Sequence, residues 1–192
     1  MNRNIIRSIK NFIERFTSWL DYRRSRILSR FNASTRLRKL RHGNILVLCY
    51  GNIYRSPFVE YYLNHIKPDI LNLHIKSAGF HNKTGRKSAV DYIEYCKEWG
   101  VDLTPHRSGR VSNDLLDWAE LIVIMDGHNY KMLTMQGTDV ARKVIWLGSL
   151  SGKTPVEIVD PYGQTLEKQH HIVKQLATAS EALIARVGSI LA

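Results

Sequence analysis

A six-residue apolar run, Asn44–Cys49 (NILVLC), passes directly into Tyr50-Gly51-Asn52-Ile53-Tyr54-Arg55-Ser56-Pro57 and from there into a helical pattern. A short run with no polar face reads as a strand covered on both sides, the kind found in parallel sheets. The pattern over Ser56–Ile66 predicts a helix, with Ser56 as its cap and Pro57 in its first turn. A strand followed at once by a tight Gly-containing turn and a helix is the start of an alternating α/β arrangement.

The same alternation continues downstream. Leu71–Ala78 alternates as a second strand, Ser88–Trp99 reads as a helix stopped by Gly100, and Leu121–Met125 (LIVIM) is a further buried strand. A helix is expected over Asn129–Met135, a strand over Lys143–Leu147, and a long amphipathic helix over Thr165–Val187. The expected fold is α/β, an open parallel sheet of about four strands with helices on both faces and a phosphate loop after the first strand.

Ligands of such sheets bind beyond the carboxyl ends of the strands, where Cys49 stands. A turn feeding a helix start aims backbone N–H groups inward, and with the positive helix end they form a nest for a dianion. Arg55, six positions after Cys49, adds a planar fork for two phosphate oxygens. The same field favours a thiolate, so Cys49 reads as a nucleophile toward phosphorus. Asn52 suits a left-handed turn position, and Ser56 can donate to the sulfur. Expulsion of an alkoxide or phenoxide needs a general acid, and cleavage of the phosphocysteine needs a base. Asp160, in the late turn Asp160-Pro161-Tyr162-Gly163, is the candidate for both.

The 192 residues fit one domain plus an appendage. Residues 1–42 hold 12 Lys/Arg and 2 Asp/Glu, whereas the rest of the chain is nearly balanced. This divides the chain into a basic amphipathic extension, 1–42, and a phosphatase domain, 43–192. In the extension Ile5, Ile9, Phe12, Ile13, Phe16, Trp19 and Leu20 recur at helical spacing, apart from Arg3, Arg7, Lys10 and Arg15. This stripe either packs on the body or a second copy, or lies against an anionic membrane surface; an acidic protein is another partner the charge allows. Nucleic acid is a poor fit, because few aromatics are interleaved with the basic residues and no nucleic-acid motif is present. The first residues lack the apolar centre of a secretory signal, though an Arg-rich start leaves a mitochondrial transit peptide open. No apolar run is long enough to span a bilayer. Two cysteines do not make a disulfide scaffold and fit a reducing compartment, so a cytoplasmic protein is expected, peripheral at a membrane if the extension binds one. The eight histidines show no ligand spacing with the cysteines, and neither metal nor cofactor is expected.

Cys49-Tyr-Gly-Asn-Ile-Tyr-Arg-Ser-Pro57 and the late Asp160-Pro161 resemble the low-molecular-weight protein tyrosine phosphatase family, as do Ser77-Ala78-Gly79, His106-Arg107 and the LIVIMDGHNY stretch. The resemblance covers about residues 43–192. It implies Cys49 as nucleophile, Arg55 as phosphate binder, Asp160 as acid and base, and a phosphotyrosine protein as substrate. Tyr50, Gly51, Asn52, Ile53, Tyr54, Ser56 and Tyr162 would form the substrate site, with Asn52 and Ser56 supporting the loop and Tyr50 and Tyr162 stacking on a phosphotyrosine ring. One departure stands out: Tyr54 replaces a loop cysteine that in the family shields the nucleophile through a disulfide. Cys96 reads as a core residue, not as a substitute. Arsenate reductases share the loop but relay disulfides through further cysteines. Phosphoarginine phosphatases favour Thr where this chain has Ile53. A catalytically weak phosphate-binding or scaffold protein is the reading from another class.

Overall fold

The structure, a computed structural model, describes residues 3–137 and 139–191. Four strands form one all-parallel sheet: β1 (Asn44–Cys49), β2 (His74–Gly79), β3 (Leu121–Ile124) and β4 (Val144–Trp146), in the order β2-β1-β3-β4. The first strand is central, paired with β2 through Cys49↔Gly79 and with β3 through Val47↔Val123. The helices are α1 (Arg3–Ile27), α2 (Ser29–Leu37), α3 (Arg55–Ile66), α4 (Val90–Lys97), α5 (Asn113–Trp118), α6 (Gly127–Thr134) and α7 (Leu166–Leu191).

Successive strand residues point to opposite faces, so the apolar runs feed two separate cores. Ile45, Val47, Leu121, Val123 and Ile145 pack with Phe58 and Leu63 of α3, Tyr92 and Cys96 of α4, and Leu176 and Leu183 of α7. Leu46, Leu48, Ile122, Ile124 and Trp146 pack with Leu116 of α5 and with Tyr130 and Leu133 of α6. Burial on both faces explains why β1, β3 and β4 carry no polar alternation, whereas the edge strand β2 exposes His74 and Lys76. The expected sheet with helices on both faces is present.

Local differences have local causes. The second strand begins at His74 because Asp69–Leu71 forms a short helical turn instead. The short α5, absent from the expected elements, is capped by the Ser112 hydroxyl, which accepts from Leu115 N–H at 3.3 Å. Helix α6 starts at Gly127, two residues earlier than expected, because the Asp126 carboxylate caps it and accepts from Asn129 N–H at 2.8 Å. Ser56 does not cap α3. Tyr54 stands at that position without a side-chain cap bond, and Ser56 is buried inside the first turn.

The extension is part helix on the surface and part core. Ala33, Leu37 and Leu40 are buried with the sheet, and the Trp146 indole donates to the Ser25 hydroxyl at 2.9 Å. In contrast Ile6, Ile9, Phe12, Ile13, Phe16, Trp19 and Leu20 are exposed. The expectation that this stripe packs on the body is therefore wrong. The side chains of Arg3 and Ile5, also part of the expected pattern, lie outside the described residues. Among the described residues no helix is long and apolar enough to cross a membrane.

Candidate active site

The loop from Cys49 to Arg55 joins the central strand to α3, and Asn52 shapes it. Its φ is 50°, a left-handed value that asparagine tolerates better than most residues. Its backbone N–H donates to Cys49 Sγ at 3.2 Å, so the turn aims an amide at the sulfur. Its side chain accepts from Gly109 N–H at 2.7 Å, which fixes the oxygen end of the amide. The other end then donates to Ser56 Oγ at 3.0 Å and to Ser77 Oγ at 2.8 Å. Ser77 in turn donates to Glu60 Oε2 at 2.6 Å. Burial raises the Glu60 pKa, against the lowering effect of the Ser77 bonds.

Ser56 Oγ lies 3.0 Å from Cys49 Sγ. Because the Asn52 amide already donates to this oxygen, the hydroxyl proton is left for the sulfur or, at 3.4 Å, for the Ala78 carbonyl. From the other side the Asn52 carbonyl accepts from His106 Nε2 at 2.9 Å, which places a proton on that nitrogen. Burial lowers the His106 pKa more than this bond raises it. The loop also needs Gly79: a Cβ there would stand 2.8 Å from the Tyr50 carbonyl oxygen and 2.9 Å from Asn52 N.

Arg55 is 1% exposed, and three groups from two later segments hold it. Nη1 donates to the Asp126 carboxylate and, at 3.0 Å, to the Ile158 carbonyl, while Nη2 donates to Asp160 Oδ2 at 2.5 Å. Burial opposes the guanidinium charge, but Cys49, Asp126 and Asp160 together outweigh it and raise the pKa. The Nε of Arg55 is buried and has no hydrogen-bond partner among the described residues. A buried donor left in this state costs about 1–3 kcal/mol. An oxyanion in the loop would satisfy it.

Cys49, Tyr50, Gly51, Ile53, Tyr54, Asp160 and Tyr162 line one cavity of about 360 Å³, together with His81 and Arg86. Seven of the ten expected site residues thus share a single pocket, and Asp160 is in the same chamber as the sulfur. Asn52, Arg55 and Ser56 are buried behind that wall. Tyr50 and the largely exposed Tyr162 both line this pocket and reach solvent at its rim. The Tyr54 ring packs edge-on against Tyr92 at 4.6 Å and reaches within 6.4 Å of Tyr162. It becomes wall rather than obstruction. Its phenol pKa is raised by burial first and then by Tyr162 and Asp160, so it stays neutral beside the anion site. Tyr92 donates to the Tyr54 carbonyl at 3.2 Å and supports the loop from beneath, whereas Tyr130 stacks on Trp146 in the other core. Cys96 is fully buried, and burial pushes its thiol pKa up.

Sequence reasoning missed Asp126, the second carboxylate on Arg55. Its signal was an Asp directly after a buried strand and three residues before Asn129, the spacing of a helix cap. It also missed Arg86, whose Nη2 donates to the Gly51 carbonyl at 2.6 Å. Nothing in the local sequence ties that residue to the loop.

A family model described as low molecular weight phosphotyrosine protein phosphatase matches residues 44–190. A low molecular weight protein-tyrosine-phosphatase, Ptp, of Acinetobacter johnsonii is 38% identical over 120 residues, covering 62% of this chain and 80% of that protein. A protein-arginine-phosphatase of Geobacillus stearothermophilus is 27% identical, covering 72% of this chain and 92% of that one. Among solved structures, Vibrio vulnificus Wzb in complex with benzylphosphonate aligns with a TM-score of 0.67 and 28% identity, covering 76% of this chain and 99% of that chain. The YwlE arginine phosphatase of Geobacillus stearothermophilus aligns with a TM-score of 0.68 and 26% identity, covering 76% and 93%. The chain belongs to the low molecular weight phosphotyrosine protein phosphatase family.

Proposed function

We propose that this chain hydrolyses phosphotyrosine on protein substrates through a phosphocysteine formed on Cys49. The observation that carries the reading is the meeting of Cys49 and Asp160 in one cavity, with Asp160 also bonded to the buried Arg55. The Cys49 sulfur attacks phosphorus and the bond from phosphorus to the tyrosyl oxygen breaks. Asp160 gives its proton to the departing oxygen. Asp160, now a carboxylate, takes a proton from water, whose oxygen attacks the phosphocysteine. The P–S bond breaks, the thiolate returns and inorganic phosphate leaves. Water is the only co-reactant, and the steps require neither metal nor cofactor.

The buried Arg55 fork and the loop amides hold the phosphoryl oxygens as charge shifts between them. Tyr50 and Tyr162 flank the substrate ring at the mouth, and Ile53 presents an apolar wall. That wall favours an aromatic ester over a guanidinium, which would need a hydroxyl partner. The second reading, phosphoarginine hydrolysis, draws on the relatives named arginine phosphatases. Peptides of one sequence carrying either phosphotyrosine or phosphoarginine separate the two: the expected kcat/KM favours phosphotyrosine, and a preference for phosphoarginine contradicts the assignment.

Two free cysteines fit work in the cytoplasm. Residues 43–192 carry the chemistry in this reading. Residues 1–42 add a basic contact for an anionic membrane surface or acidic protein, and peripheral attachment follows.

A further inference from the structure

Helix α1 is seated on the body by its C-terminal end, where Ser25 is buried and Tyr22 half-buried, while residues 6–20 are exposed. Asn11, Glu14, Arg15, Ser18 and Tyr22 face α6 across an open groove that Gly127 and His128 also line. Tyr22 and Arg26 bond to Glu157, at 2.7 and 3.1 Å. A Cβ on Gly127 would come within 2.6 Å of the Tyr22 ring, so the seat of α1 on the body is close and specific. Trp19, at the edge of the apolar stripe, also lines this groove, and the rest of the stripe is left on the far side. Phe12 is 69% exposed, and Ile9, Ile13 and Phe16 are at least half exposed. Phe12, Phe16 and Trp19 stack on one another at 6.3 and 6.0 Å, with the Arg23 guanidinium 4.9 Å from the Trp19 ring.

A water-soluble surface helix normally turns such a stripe inward, so this one has an external occupant. Charge decides which. The helix carries seven Lys/Arg against two Asp/Glu, so a second copy laid on the same face would bring like charge against like. An anionic lipid surface takes both features at once: aromatic and aliphatic side chains at the acyl boundary, and Arg23, held beside Trp19, among the headgroups. We propose that α1 lies in the plane of an anionic bilayer, apolar side down, and carries the catalytic body on its polar side.

The active-site mouth is then beside the membrane. His128 lines the α1 groove and also packs on Tyr50 at 5.2 Å, so a single side chain separates the groove from the rim. Substrates would be phosphotyrosines held near the lipid surface. This consequence rests on the phosphatase reading; the docking does not.

The test is sedimentation of the full chain with vesicles of phosphatidylcholine, with or without about one quarter phosphatidylglycerol, alongside turnover of p-nitrophenyl phosphate. The wild type should bind the anionic vesicles, less so at high salt. Phe12→Glu with Phe16→Glu should weaken binding by about tenfold or more at unchanged turnover. The milder Phe16→Ser repeats the test should the double variant fold poorly. Equal binding by wild type and a fully active variant would overturn the proposal. So would indifference to lipid charge, or a wild-type dimer in sedimentation equilibrium that Phe16→Ser converts to monomer. Vesicle binding by a chain without turnover would support the docking while removing the enzymatic reading.

Discussion

Asp160 holds Nη2 of Arg55, next to the buried Nε that has no partner among the described residues. Nε and Nη2 form one edge of the guanidinium, the edge that matches two oxygens of a phosphoryl group. A phosphate in the loop therefore competes with Asp160 for Nη2, while Asp126 and the Ile158 carbonyl keep their grip on Nη1. In this account, phosphate binding frees Asp160 to meet the leaving oxygen. Asp126 keeps Arg55 in place throughout.

The two carboxylates should accordingly separate in kinetics. Asp160→Asn removes the proposed proton donor and should lower kcat on an aryl phosphate by about 10²-fold or more. Asp126→Asn loosens Arg55 and should raise KM with a smaller loss of kcat. Steady-state kinetics of both variants check this, and equal effects on kcat would remove the distinction.

Asn52 combines a left-handed backbone with bonds to Gly109, Ser56 and Ser77. Asn52→Gly keeps the backbone accessible and loses the bonds, whereas Asn52→Ala loses both. Both should lower kcat, and Asn52→Ala should also lower the thermal midpoint further, by the equivalent of about 1 kcal/mol. Thermal melts and turnover on the same samples compare them. A fully active Asn52→Gly would mean that the bonding network contributes nothing to the chemistry.

His106 links stability to pH. Its pKa in the folded chain lies below the ordinary value of about 6.5, chiefly through burial. Between the folded and unfolded values the unfolded chain binds more protons, so stability falls as pH drops through that window and is regained above about 6.5. The thermal midpoint should decline on acidification below neutrality, and His106→Gln should flatten that part of the profile. An unchanged slope would assign it to other groups.

Oxidation is the fourth case. Tyr54 stands where the family has a second loop cysteine, and Cys96 is buried with its thiol pKa pushed up, in contact with Tyr92 rather than exposed as an attacking thiolate. Mild peroxide should inactivate the enzyme by adding oxygen to Cys49, with no disulfide formed. Intact mass before and after reductant reads this directly. A loss of two hydrogens with full thiol-dependent recovery would contradict it.

The sheet was legible because parallel strands buried on both faces leave uninterrupted apolar runs, as in NILVLC and LIVIM. The loop was legible because its nucleophile, turn residue and phosphate fork are contiguous. Arg86 had no comparable signal, and the stretches holding Asp126 and His106 resembled the family without showing what those side chains touch: each comes from a different strand end or connection, and only the packed sheet brings them together. Helix α5 is too short for periodicity to mark. The orientation of α1 is a tertiary outcome too. Its apolar stripe was plain, but Tyr22, Ser25 and Gly127 decide which side meets the body.

In the proposed chemistry Cys49 is the nucleophile of a tyrosine phosphatase. Release of phosphate from a phosphotyrosyl peptide, measured for the wild type and for Cys49→Ser, tests it most directly. The wild type should release phosphate, and the variant, with an unchanged circular dichroism spectrum, should release none above background. Equal release by the two proteins would contradict it.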